Sequence, residues 1–221
     1  MTLPEHHYRI LKRLPSTGEI LADGIVHALA LLAGMIAFPL LLSHALNHSG
    51  LGVFAALTVY AAGFFLMFGF SLAYNMAPPS AVKWLLRRFD HSMIYVMIAG
   101  TYTAVLVHLE SPAWAWAIGG VVWLGALVGI LVKVALPGRY DRLSILAYIL
   151  LGWVGAVAVV PVSAALPAVS LWLLVAGGLT YVLGVAFHLW ERLRFQNAIW
   201  HLFVAIAAGL HFAAIAVSVA A

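Results

Sequence analysis

Seven long runs of apolar residues, separated by short polar segments, make up most of the 221-residue chain. Each run has about twenty residues, the length that a helix needs to cross roughly 30 Å of hydrocarbon. The runs lack the period of two that is typical of a membrane barrel. We therefore expect an all-α bundle of seven transmembrane helices, over residues 21–45, 51–76, 91–109, 113–135, 143–163, 168–188 and 198–220.

The first run is preceded by a helix-start signal. Ser16 and Glu19 stand three positions apart, which is the spacing of a capping box. The residues before them lack the short apolar core and small-residue cleavage site of a signal peptide. We expect residues 1–18 to form a cytoplasmic interfacial segment and residues 19–221 to form one transmembrane domain.

The basic residues indicate how the bundle is oriented. Lys and Arg concentrate on the cytoplasmic side of membrane proteins. In this chain they precede the first run or flank the junctions between the second and third, fourth and fifth, and sixth and seventh runs. Seven crossings place all of them on one side, so the N-terminus is predicted to be cytoplasmic and the C-terminus extracytoplasmic. These residues are Arg9, Lys12, Arg13, Lys83, Arg87, Arg88, Lys133, Arg139, Arg142, Arg192 and Arg194.

Composition narrows the partners and the chemistry. The chain is 65% hydrophobic and 8% charged, whereas soluble domains are about a quarter charged. We expect a multi-pass protein of the plasma membrane whose partners are membrane lipids. The basic residues are spread along the membrane boundary, so no nucleic-acid partner is expected. The absence of cysteine excludes thiolate ligands and leaves His, carboxylate or amide groups for any metal.

Polar side chains inside the apolar runs define a candidate pocket. Ionisable groups are costly in a bilayer and therefore mark functional sites by default. Several lie four positions apart, so they share a helix face, and four predicted helices carry them at one depth, in the cytoplasmic half of the membrane. The predicted pocket residues are Glu19, Asp23, His27, Ser71, Asn75, Asp90, His91, Ser92, Asn197 and His201.

Simpler roles are open for some of these residues. Glu19 is also explained as the second member of the capping box. Asp90 is also explained as the N-cap of the third helix, where a carboxylate accepts from free backbone N–H groups. Asn75 and Asn197 are also explained by hydrogen bonds between helices, a common role of amides in membranes.

Three segments carry a resemblance to a known family. They are EILADGIVHALALLAG at 19–34, RRFDHSMIYVMIAGTYTA at 87–104 and FQNAIWHLFVAIAAGLHF at 195–212. Together they resemble the hemolysin III proteins, bacterial members of the progestin and adipoQ receptor superfamily. The similarity extends over essentially the whole chain, and it implies a seven-helix membrane protein.

The resemblance also implies a metal site. The superfamily pattern has Ser-x-x-x-His on helix 2, Asp at the start of helix 3 and His-x-x-x-His on helix 7, and the His residues bind zinc. By position, Ser71, Asp90 and His201 match this pattern. The resemblance implies that Asp90 and Ser71 are catalytic residues that orient water for attack on a lipid amide or ester.

Two positions depart from the superfamily pattern. Asn75 and Asn197 stand where the other two His ligands are expected, and an amide oxygen is a poor zinc ligand beside imidazole. Two cofactor predictions follow. Either the pocket binds no metal, or a rearranged site forms in which His27, Asp23 or His91 joins His201.

Three functions are therefore consistent with the sequence. The first is a lipid sensor or receptor in membrane-lipid homeostasis that binds a fatty acid or another amphiphile in the pocket. The second is a zinc-dependent intramembrane hydrolase of a lipid amide or ester. The third is a transporter or a proton-coupled channel, although the charged groups occupy only one half of the membrane and only His211 continues the path.

Overall fold

A computed structural model describes residues 15–221, and every regular element among them is helical. The prediction of an all-α fold is confirmed, whereas most of the predicted interfacial segment, with Arg9, Lys12 and Arg13, lies outside the described residues. Several helices are longer than the apolar runs because polar residues extend their ends. The elements are α1 (Thr17–His48), α2 (Gly50–Met76), α3 (Ala81–Leu106), α4 (Pro112–Ala135), α5 (Asp141–Gly152), the 3₁₀ helix η1 (Val154–Ala158), α6 (Val159–Ala165), α7 (Ala168–Leu189) and α8 (Gln196–Ala220).

Among residues 15–221, six segments are long and apolar enough to cross a membrane. They are α1, α2, α4, the combined segment Asp141–Ala165, α7 and α8. Helix α3 is 26 residues long, but it is not among the six, and its first half carries Lys83, Arg87 and Asp90. The count of seven spans and the orientation of the two termini stay predictions.

Large apolar side chains lie on the outside of the bundle as well as inside it. Leu51 is 75% exposed and Trp116 is 81% exposed, while Phe38, Leu57 and Tyr60 are almost completely buried. A helix that is apolar all round suits a surface solvated by lipid tails. This distribution agrees with the apolar composition and supports a membrane protein.

The fifth predicted helix is interrupted. The chain leaves α5 at Gly152, passes through η1 and continues as α6. The hydroxyl of Tyr102 on α3 donates to the Gly152 carbonyl at 2.8 Å and accepts from the Gly155 N–H at 2.7 Å. Backbone polar groups inside hydrocarbon need internal partners, so this side chain supplies two that the interrupted helix loses.

An ion cluster joins α3, α4 and α5. The Asp141 carboxylate accepts from Arg87 at 2.6 Å and from Lys133 at 2.8 Å. Lys133 is only 2% exposed, so its ammonium depends on Asp141 for a counter-charge. Arg87, predicted to lie in a connecting segment, instead lies within α3 and is buried.

Candidate functional site

The start of α1 is fixed by the predicted capping box, which is confirmed. Ser16 caps the helix, and the Glu19 side chain accepts from the Ser16 backbone N–H at 2.9 Å. The other Glu19 oxygen accepts from the backbone N–H of Phe195 at 2.9 Å. Phe195 immediately precedes α8, so Glu19 both caps α1 and holds the first turn of α8 beside it.

One helical turn farther along, α1 and α8 bring together a cluster formed by Asp23, His27 and His201. Oδ1 of Asp23 lies 2.6 Å from Nδ1 of His201 and 3.6 Å from Nδ1 of His27. The two imidazole rings have centroids 4.3 Å apart. Asp23 and His27 are buried, and the His201 side chain is 12% exposed, so the cluster is largely shielded.

One hydrogen bond of His27 identifies its tautomer. Nδ1 lies 2.8 Å from the backbone oxygen of Asp23, and a carbonyl can only accept, so the proton is on Nδ1. Nε2 then carries a lone pair. This atom is buried and has no hydrogen-bond partner among the described residues, and a buried polar atom without a partner needs an explanation.

His201 is also held at both ring nitrogens. Nδ1 faces the carboxylate of Asp23, and Nε2 lies 3.4 Å from the hydroxyl of Ser71 on α2. Asp90 on α3 interacts with Ser71 and with His201, and its side chain is 13% exposed. Four helices therefore contribute to the surroundings of the cluster.

The two Asn residues bond to each other, and Asn75 also bonds to Ser71. The Asn75 amide donates to the Ser71 carbonyl at 2.9 Å and to its hydroxyl at 3.3 Å. The Asn197 amide lies 3.5 Å from the Asn75 side-chain oxygen. Asn75 and Asn197 thus link α2 to α8 through a hydrogen bond, as their simpler role predicts.

Three other predicted residues are placed differently. The explanation of Asp90 as an N-cap is wrong, because α3 begins at Ala81 with Ser80 as its cap. His91 lies 3.8 Å from Asp90 and packs against Tyr74, and it is not among the residues whose ligand atoms converge. Ser92 is completely buried, and its hydroxyl has no partner within residues 15–221.

Phe195 also contributes to the site, although it is not among the residues predicted from the sequence. Its contribution is a backbone N–H, and its φ of 58° lies in the left-handed region. A phenylalanine carries no sequence signal for that conformation, which usually favours glycine or asparagine.

The nitrogen and oxygen atoms of the cluster can act as metal ligands. One ligand-capable atom from each of Asp23, His27 and His201 lies within 4.8 Å of the others. Two imidazoles and a carboxylate are the ligand types that catalytic transition-metal sites use. The three residues therefore form a candidate metal site, and it draws on two of the three residues expected for a rearranged site together with His201.

Comparison with known proteins agrees with this picture of a membrane protein. A profile of the family described as "Haemolysin-III related" matches residues 19–212. The chain is 37% identical to "Hemolysin-3" of Bacillus cereus, over 84% of this chain and 85% of the relative. It is 32% identical to "Hemolysin-3 homolog" of Bacillus subtilis, over 84% and 87% of the two chains. A human relative, "Monocyte to macrophage differentiation factor", is 33% identical over 57% of this chain and 52% of its own length.

Proposed function

The chain belongs to the haemolysin III-related family of multi-pass membrane proteins, and on that premise we propose that it is a metal-dependent hydrolase of a lipid amide or ester. The observation that carries the proposal is that ligand-capable atoms of Asp23, His27 and His201 lie within 4.8 Å of one another, while the buried Nε2 of His27 has no hydrogen-bond partner among the described residues. An open lone pair on an imidazole held by its other nitrogen is the arrangement of a metal-ligating His. The plasma membrane of a bacterium is the location that fits this family.

The ligand set fits zinc. Asp23, His27 and His201 would hold the ion, and three protein ligands leave one position open, as in catalytic zinc sites. Zinc in such a site polarises a carbonyl group and acidifies water. The Nδ1–H of His27, held by the Asp23 carbonyl at 2.8 Å, keeps the ring turned so that Nε2 faces away from the helix backbone.

Asp90 and Ser71 are the residues proposed to handle protons. Hydrolysis joins the oxygen of a water molecule to the carbonyl carbon and breaks the C–N or C–O bond. The Asp90 carboxylate accepts a proton from that water and returns it to the departing nitrogen or oxygen. The Ser71 hydroxyl interacts with Asp90 and lies 3.4 Å from His201 Nε2, which suits it to orient the water.

Metal analysis of the purified protein tests this proposal directly. We expect about one zinc ion per chain in the wild type, loss of zinc in His27→Ala and His201→Ala, and retention in the control His44→Ala. His44 lies near the far end of α1, so this substitution removes an imidazole that is outside the cluster. Wild-type protein without metal, or equal zinc in all four proteins, would overturn the proposed site.

A hydrolysis assay tests the activity separately. A fluorescent N-acyl lipid and a fluorescent acyl ester are incubated with detergent-solubilised protein, and product release is followed. We expect Asp90→Asn to abolish release while its zinc content stays at the wild-type level. Release that is unchanged in Asp90→Asn would reject the role of Asp90.

A second candidate is a lipid sensor or receptor that works without metal. It is favoured by the direct contact of Asp23 with His201 at 2.6 Å and by the Asn75–Asn197 pair, because these groups satisfy one another. It predicts a fatty acid that copurifies with protein from which chelator has removed all metal. Native mass spectrometry measures the bound lipid. A purified protein that carries neither lipid nor metal and releases no product would contradict both candidates.

A further inference from the structure

An apolar groove of about 320 Å³ runs between α1 and α8, with Phe64 of α2 at its back. Its volume is at the lower end of the roughly 300–1,000 Å³ that is typical of small-molecule pockets. All lining side chains are Ala, Gly, Ile or Phe. None offers a hydrogen bond, so the groove suits a hydrocarbon chain and excludes a polar headgroup.

The groove opens sideways, away from the protein core. Ala33 on α1 and Gly209 on α8 line it and are both exposed. A Cβ added at Gly209 would meet no atom within 4 Å, whereas one at Gly34 would come within 2.5 Å of the Phe64 ring. The space therefore lies beside Gly209, on the side that would face lipid.

The groove begins about one helical turn from the Asp23–His27–His201 cluster. Ala30 follows His27 by three positions, and Ala205 follows His201 by four. Residues at these spacings share a helix face, so the apolar lining begins about one turn, or roughly 5 Å, beyond the imidazoles. A lipid whose carbonyl lies at the cluster would place its first methylene groups at Ala30 and Ala205.

Aromatic rings close the other end of the groove. The Phe38 ring lies 5.1 Å from those of both Phe64 and Phe212, measured between centroids. Phe38 and Phe64 are buried, so this end is filled by packed side chains. Ala30 and Phe38 are separated by about 12 Å of helix, which limits the length of chain that fits.

From these observations we infer that the α1–α8 groove binds one fatty acyl chain of the lipid whose carbonyl lies at the cluster, and that Phe38, Phe64 and Phe212 limit its length. The chain enters from the surrounding lipid past Ala33 and Gly209. An unfilled cleft would forfeit dispersion contacts along its walls, and an acyl chain supplies them. The inference rests on the proposed function, because it names the lipid part that the same site recognises.

Photo-crosslinking tests the groove. Protein in lipid nanodiscs is incubated with palmitic acid that carries a diazirine and an alkyne, irradiated and digested. We expect labelled peptides from α1 and α8, and loss of this label in Gly209→Trp and in the milder Ala33→Leu. The matched control is Gly120→Trp on α4, where an added Cβ also meets nothing within 4 Å, and it should keep the label.

The length limit has its own test. Lauric and palmitic acid probes compete for labelling in the wild type and in Phe212→Ala. We expect the variant to shift the preference towards the longer chain, because removal of the ring opens the closed end. An unchanged preference would overturn the role of Phe212.

Failure of the groove can be distinguished from failure of the metal site. Equal labelling of Gly209→Trp and Gly120→Trp would overturn the groove, whatever the zinc content and hydrolysis assays show. Labelling that depends on Gly209 in a protein without zinc or hydrolysis would reject the hydrolase and support the groove. If Gly209→Trp instead converts a dimer to a monomer and no probe labels α1 or α8, the groove is a contact between two copies and the inference is wrong.

Discussion

Asp23 and His201 are 178 positions apart in sequence, and their side chains lie 2.6 Å apart between Oδ1 and Nδ1. This contact depends on the alignment of α1 with α8. Glu19, one turn before Asp23, accepts from the Phe195 N–H at 2.9 Å and so fixes how the two helix starts face each other. The cluster is therefore positioned by a residue that does not belong to it.

Replacement of Glu19 should disturb the cluster from a distance. Glu19→Ala removes both the capping-box bond and the bond to Phe195, and loss of a cap alone costs about 1 kcal/mol. We expect a lower midpoint of thermal unfolding in detergent and a reduced zinc content. Glu110→Ala is the control, since Glu110 is an exposed carboxylate in the connection before α4. Equal zinc in the two variants would show that Glu19 does not position the cluster.

Imidazoles at the two Asn positions should strengthen metal binding. The double variant Asn75→His and Asn197→His places the expected ligands near His201, since the two amides already lie 3.5 Å apart. We expect zinc affinity to rise by roughly tenfold or more, because imidazole is a better zinc ligand than an amide oxygen. Competition with a fluorescent chelator measures it.

The control for this pair is Asn47→His, whose amide bonds to the Ser43 carbonyl at the end of α1, far from the cluster. It should leave zinc affinity unchanged. An affinity that does not rise in the double variant would mean that α2 and α8 do not present these side chains to a common ion.

The ion cluster at Asp141 should matter for stability. Asp141→Asn leaves the cations of Arg87 and Lys133 without their shared counter-charge. Breaking a fully buried pair costs about 3–5 kcal/mol, but Asp141 is 37% exposed, so we expect roughly 1–3 kcal/mol. Chemical unfolding in mixed micelles measures the change. Glu110→Gln, which neutralises an exposed acid, should have little effect. Similar losses of unfolding free energy in the two variants would contradict the stabilising role of Asp141.

Much of the site could be predicted from residue spacing. Asp23 and His27 are four apart, and this alone places them on one face of α1. His201 lies at a similar distance from the start of its own helix, so a bundle with both helices parallel brings the three together. The capping box at Ser16 and Glu19 is equally local, and it is confirmed.

Features that depend on tertiary packing could not be predicted from residue spacing. Asp90 looked like a cap because Lys83, Arg87 and Arg88 resemble a polar connection, yet α3 continues through them, and the Arg87 charge is compensated by Asp141 from another helix. The interruption after Gly152 was predicted as continuous helix, since its repair comes from Tyr102. The groove depends on how far α1 and α8 separate, which no local pattern encodes.

The repair by Tyr102 has a consequence for biogenesis. Until α3 is beside it, the segment Asp141–Ala165 exposes the Gly152 carbonyl and the Gly155 amide to hydrocarbon, at a cost of several kcal/mol per group. We therefore expect this segment to settle in the bilayer only after α3 has been released from the translocon, as a later step of insertion. Tyr102→Phe should delay the appearance of protease-resistant chain during coupled translation, and an unchanged time course would show that insertion does not depend on the tyrosine hydroxyl.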